Sequence, residues 1–309
     1  MSIPRRNRNA RIPLYQWEAL EQASEALAGA GDASWTFSST RHEHWGPSGR
    51  WLIGAWLEQL NLGRDDVVTI LTTSQERYVS ICVSVTAFNY ASISRVPTDR
   101  TRAIIAIHEF GYIDREFPAR CAEWRAQGIP VLEDCAYAAG IQIGSAQAGD
   151  FGDAALFSLP KIIPVNCGGL LRTRAPLKIP TMNAEQSLAC TSGRTAAEKY
   201  LPRVPLFNSL RSERHQILRD GLGLRPWEPA KPTISVPWFS MYTDPHQYVY
   251  KQVLPDVFWG TATLEPERLQ IPTNPLVPLS EYRTVIEYVQ SLRSTSPGTP
   301  VRMTESEGN

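Results

Sequence analysis

The chain has 309 residues, 42% of them hydrophobic and 20% charged, with 31 basic residues against 31 acidic ones. That length can bury a substantial core in one large domain plus a smaller lobe. A net charge of zero gives no electrostatic reason to expect nucleic acid or an anionic membrane as partner.

Five cysteines without CxxC spacing argue against a zinc site or a disulfide framework and point to a reducing cytoplasm. The basic N-terminal arm is followed by no apolar stretch, and no window approaches 18 consecutive apolar residues. Neither a secretory signal nor a membrane helix is expected.

In chain order, residues 1–35 read as the basic arm and a helix over Leu14–Ala28, stopped by Gly29 and Gly31. Trp51, Leu52, Ala55, Trp56 and Leu60 recur at helical spacing up to Gly63. Val67–Leu71 reads as a buried strand and Tyr78–Tyr90 as a helix. A connector with Pro97 leads to the strand Ala103–Ile107. Phe117–Gln127 is helical in pattern, and Pro130–Glu133, Ala154–Phe157 and Gly169–Arg172 are short apolar strands.

Such alternation predicts an α/β fold: a three-layer α/β/α large domain with a mostly parallel sheet covered on both faces. Ala175–Pro205 is polar and reads as connecting structure, and Pro226–Pro237 is proline-rich. Tyr248–Trp259 fits strand or helix, and Ser280–Leu292 fits a closing helix. The expected organisation is an arm and helix over 1–35, a large domain over 36–205, a reduced C-terminal α+β lobe over 206–293 and a flexible tail over 294–309.

Several segments carry chemistry. Gly46-Pro-Ser48-Gly49-Arg50 precedes a helix, so its free backbone N–H groups could cradle an anion, or Ser48 could be an ordinary N-cap. Asp134 ends a strand, where open α/β sheets place ligand contacts, or it caps the next turn. Tyr137 could face the same place or simply pack.

Lys161 follows Phe157-Ser158 at a strand–loop junction, usually the place of a solvated lysine. Two neighbours raise the functional reading: Ser158 can donate to a phosphate, and the turn Asn166-Cys167-Gly168-Gly169 allows close backbone approach to a ligand. Tyr78 could stack on a flat cofactor or pack in the core. His108 ends a strand where it could contact substrate or serve the structure. His42 and His44 lack a third ligand, so no metal is expected.

Together these segments resemble the DegT/DnrJ/StrS family of sugar aminotransferases, which depend on pyridoxal 5′-phosphate (PLP) and share the aspartate-aminotransferase (type I) fold. The family's Ser-Gly-Thr helix start is similar to Ser48-Gly49-Arg50, and its Glu-Asp-Ala-Ala-Gln-x-x-Gly to Glu133-Asp134-Cys135-Ala136-Tyr137-Ala138-Ala139-Gly140. Its Phe-Ser-Phe…Lys…Gly-Gly segment resembles Phe157-Ser158-Leu159…Lys161…Gly168-Gly169. The likeness covers about residues 46–173, in a shortened and divergent form.

The resemblance implies that Lys161 is catalytic, carrying PLP as a Schiff base and shuttling a proton. It implies Asp134 on the pyridine nitrogen, and Ser158 with Ser48, Gly49 and Arg50 on the phosphate. Tyr78 would stack on the ring, and Tyr137 would take the place of the family's glutamine near the phenolic oxygen. The implied activity is amino transfer to a keto-sugar, nucleotide-linked, in polysaccharide or natural-product biosynthesis, by a homodimer using a small-molecule amino donor. A member that keeps the fold but serves as a binding or regulatory protein is the alternative.

Overall fold

The computed structural model describes residues 34–74, 81–226, 228–230, 232–236, 239–243 and 268–295. The expected helix over 14–28, Tyr78, the segment 248–259 and the tail from 296 on lie outside the described residues, whereas 294–295 close a helix. A seven-stranded sheet organises the rest. Its parallel part comprises β2 (Val67–Thr72), β3 (Ser92–Ser94), β4 (Thr101–Ile107), β6 (Val131–Asp134) and β9 (Ala154–Ser158), and β10 (Gly169–Thr173) and β1 (His42–Gly46) add antiparallel strands at one side. The order across the sheet is β1-β10-β9-β6-β4-β2-β3, and two small antiparallel pairs lie outside it, β5 (Tyr112–Asp114) with β11 (Thr233–Ser235) and β7 (Gln142–Ile143) with β8 (Ala146–Gln147).

Alternation along the strands sorts the core into two faces. Ala103, Ile105 and Ile107 of β4 join Leu132, Ala154, Leu156 and Leu171 under the helices α1 (Gly49–Glu58) and α2 (Ile81–Phe88). Ile104 and Ala106 face the opposite way, with Val131, against Phe117 and Cys121 of α3 (Phe117–Ala126). Both faces of these strands are covered, which is why they read as unbroken apolar runs.

The region 175–205 is not mainly connector. It holds α5 (Ala184–Tyr200), capped by Asn183, whose side chain accepts from the Gln186 N–H while the Gln186 side chain bonds back to the Asn183 N–H. After a short 3₁₀ turn, α6 (Val204–Leu222) follows, and α7 (Leu279–Thr295) packs on it. Leu218, Leu222, Tyr282, Val285 and Val289 form the core there, closed by the pair β12 (Phe239–Thr243) and β13 (Arg268–Pro272). Among the described residues no helix is long and apolar enough to cross a membrane.

Candidate active site

Register brings the predicted residues to one edge of the sheet. Thr72, Ile107, Asp134 and Leu156 are neighbours across β2, β4, β6 and β9. Two positions beyond Leu156, Ser158 pairs with Gly169, which pairs with Gly46. This is the carboxyl edge of the parallel strands, where open α/β sheets bind ligands. Strand alternation puts Asp134 on the face of Leu132, and Ser158 on the face of Leu156. Both residues therefore share the α1 side with the 48–50 turn.

Ser48 is the N-cap of α1, accepting from the Trp51 N–H at 3.3 Å. The cap takes the Trp51 N–H, and Ser48 also pairs with Gly168 in a parallel bridge. The turn is held from below by Gly168, whose N–H donates to Pro47. A Cβ on Gly169 would stand 2.9 Å from the Gly49 nitrogen, and one on Gly49 would meet Ser158 Cβ at 3.6 Å. The missing side chains let β10 and the helix N-terminus approach closely, with Ser158 beside them. Arg50 is exposed, and its Nη2 donates to Cys82 Sγ at 2.8 Å, so the guanidinium leans on α2.

Lys161 lies in α4 (Leu159–Ile162), a single turn that starts as β9 ends, rather than at a plain strand–loop junction. Ser158 precedes it as backbone N-cap and spends no side-chain hydrogen bond on the cap. The lysine is half-buried, and its Nζ lies over the Tyr137 ring, 4.2 Å from the centroid. Arg211 of α6, itself 5% exposed, donates to the Lys161 carbonyl at 3.3 Å and ties this turn to the C-terminal helices.

Asp134 is 6% exposed, and its Oδ1 accepts from the Ala136 N–H at 3.0 Å. Burial raises its carboxyl above the ordinary range; Lys161, the Ala136 N–H and His108 oppose this without cancelling it. A carboxylate whose pKa is raised by folding adds stability that is fully present below its unfolded value. That stability is lost as pH rises through the folded value. Asp134→Asn keeps the acceptor for Ala136. Without cofactor it is expected to melt above wild type at neutral pH, the gap closing as pH falls below the ordinary aspartate range. Thermal melts across pH measure this directly.

The other half of the acidic pair points away. Glu133 is fully buried and accepts from the N–H groups of Gly149, Phe151 and Gly152 at 2.9, 2.7 and 2.6 Å. His108 Nε2 lies 3.2 Å from its Oε2. His108, readable from sequence as a substrate contact or a structural residue, is 2% exposed and packs edge-on to Phe117, which fits the structural alternative. His108, Glu133 and Cys135 could be read as ligands for a cation, their ligand atoms lying within 4.8 Å of one another. Three N–H dipoles already converge on this carboxylate, an anion-holding arrangement that disfavours a cation.

The sequence reading missed Phe110. Its backbone is left-handed (φ 52°, ψ 24°), an uncommon state for a bulky residue, and its ring stands 6.0 Å from that of Tyr137. Only the adjoining Gly111 hinted at a tight turn.

The model of the DegT/DnrJ/EryC1/StrS aminotransferase family matches residues 70–209. The matched stretch contains Asp134, Tyr137, Ser158 and Lys161, whereas the 48–50 turn joins them through geometry alone. One curated relative is UDP-N-acetyl-3-dehydro-alpha-D-glucosamine 3-aminotransferase from Acidithiobacillus ferrooxidans. It is 40% identical over 72 residues, which are 23% of this chain and 19% of that protein.

The match therefore spans about a fifth of the relative's length. Among solved structures, the aminotransferase TlmJ from Streptoalloteichus hindustanus superposes with a TM-score of 0.63 at 18% identity, covering 92% of each chain. DesV from S. venezuelae gives 0.65 at 16% identity, over 93% of this chain and all of the other. PseC from Helicobacter pylori gives 0.63 at 12% identity, over 93% and 99%. These likenesses show a shared fold, with its mostly parallel central sheet.

Proposed function

We propose that the protein is a PLP-dependent aminotransferase acting on a keto-sugar, nucleotide-linked, with a small amino acid as donor. The observation that carries this reading is the meeting of Asp134, Ser158, Lys161 and the Ser48–Arg50 turn at one sheet edge, on chain matched by an aminotransferase family. The donor set suits PLP: an amine for its aldehyde, a buried carboxylate for its ring nitrogen, and hydroxyls with a helix N-terminus for its phosphate. Bound there, PLP supplies an electron sink for the pair left when a Cα proton departs.

The chain's own residues do the rest. Ser48, Gly49 and Ser158 bind and orient the phosphate. Asp134 holds a proton at the pyridine nitrogen, and its burial makes that charge pair stronger than it would be in water. Lys161 holds the cofactor covalently when substrate is absent and, once released, moves the proton between Cα and C4′. Arg50 supplies positive charge near the phosphate turn. Tyr78 is assigned to ring stacking, and Tyr137 to the position of the family's glutamine. His108 supports Glu133 and has no place in this scheme. All five cysteines are free, which supports a reducing, cytoplasmic setting, and the reading includes a homodimer.

PLP titration of the full chain tests the proposal. A visible absorption band should appear at stoichiometric PLP, bleach on adding glutamate or glutamine, and vanish on borohydride treatment. A colourless protein that leaves PLP free in solution would sink it.

A further inference from the structure

We infer that Tyr137 is a positioning residue that seats the Lys161 ammonium on its ring face and so sets the pH at which this lysine becomes nucleophilic. The inference rests on the reading of Lys161 as the cofactor-bearing lysine for its meaning, though not for its test.

The geometry is specific. Lys161 Nζ stands 4.2 Å from the Tyr137 centroid, well inside the distance at which a ring quadrupole attracts a cation. Neither partner is placed by chance. The lysine's backbone is fixed by the Arg211 N–H on its carbonyl and by the short helix α4. The tyrosine sits in the turn after β6, between buried Ala136 and Ala138, and its ring is backed by Phe110 at 6.0 Å. Phe110 holds a left-handed backbone while 2% exposed, a costly conformation that persists only where packing fixes it.

The charges around the amine set the direction of the effect. Asp134 at the end of β6 interacts electrostatically with Lys161. Arg211 from α6 reaches the lysine main chain, and His108 from β4 is close enough to act on Asp134. Against that background the ring adds a preference for the protonated amine that does not depend on the ionisation of Asp134. A glutamine, the residue expected here from the family pattern, has no such face. The seat favours a charged lysine whenever the amine is not bonded to the cofactor, which suits a group that must then carry a proton.

The test uses the full chain with no cofactor added and a short pulse of acetic anhydride at a series of pH values. Acetylation of the Lys161 peptide is read by mass spectrometry. In Tyr137→Leu the midpoint of labelling should fall by about one pH unit, the size expected of a partly desolvated cation–ring contact. Tyr137→Phe should stay with wild type. Phenylalanine and pentafluorophenylalanine at position 137 have nearly the same shape and opposite ring electrostatics. That pair decides the matter even where the leucine variant folds poorly, and the fluorinated ring should lower the midpoint.

Improved access alone would raise the extent of labelling without moving its midpoint. That result, or coincident midpoints for the two phenylalanine rings, overturns the inference. Because no cofactor enters the experiment, a failure of PLP to bind would leave this result standing, and the reverse also holds.

Discussion

Lys161→Ala should leave a folded protein that shows no visible PLP band and has lost activity by about 10⁴-fold or more. On the proposed function, two roles of the lysine would be lost together: the covalent hold on the cofactor, and the group that moves the proton. Positioned acid–base groups alone contribute about 10²–10⁴. The fold should tolerate the change. Arg211 donates to the Lys161 carbonyl, which alanine retains, and the side chain is only half-buried. The losses include the contact with the Tyr137 ring, about 1 kcal/mol, and the electrostatic support of Asp134.

Methylamine added to the variant supplies a free amine and should restore a small part of the rate. Absorbance, borohydride trapping and single-turnover assays separate the steps. A variant in which borohydride still fixes PLP covalently to the chain would place PLP on another lysine and end the assignment. If wild type binds PLP and never turns over a donor, the chain is instead a binding protein on this fold.

Much of this site was legible before any coordinates, because its parts sit where local rules are strong. Asp134 ends an apolar run, and such an end marks the ligand edge of a parallel sheet. Ser48-Gly49 stands at the start of a well-patterned helix, so its free N–H groups follow from helix geometry. What escaped was set by tertiary contact. α4 is a single turn that contains Pro160, too short to leave a periodic signal.

α5 buries only Gly193, Ala197 and Tyr200 along its length, so its apolar stripe is too thin to read. Its reason lies elsewhere: a Cβ on Gly193 would come within 2.8 Å of Gly168 Cα, so the helix rests directly on the site's glycine turn. The Asn183-x-x-Gln186 capping box was the one local sign of this helix. β1 is not read as a strand from the sequence, yet its antiparallel pairing with β10 fixes Gly46 beside Gly169.

The acidic pair shows why adjacent residues of one type need not share a task. Strand alternation sends Asp134 to the α1 side and Glu133 to the other. There Glu133 holds the turn 149–152 and His108 at once. Glu133→Ala is therefore expected to cost about 3–5 kcal/mol, a large share of the stability of an ordinary domain. It leaves the N–H groups of Gly149, Phe151 and Gly152 facing a hollow, and each buried orphan donor costs roughly 1–3 kcal/mol.

Glu133→Gln isolates the charge from the shape. Its carbonyl oxygen can still accept from Phe151 and Gly152, which share one oxygen of the wild-type carboxylate. Its NH₂ group would then face the Gly149 N–H, donor against donor, while being able to donate to His108. A loss of about 1–2 kcal/mol is expected, between wild type and alanine. Urea denaturation with an unchanged slope reads both values. Should alanine cost no more than glutamine, the three N–H groups have found other acceptors. Glu133 would then not be what holds the 149–152 turn against the sheet.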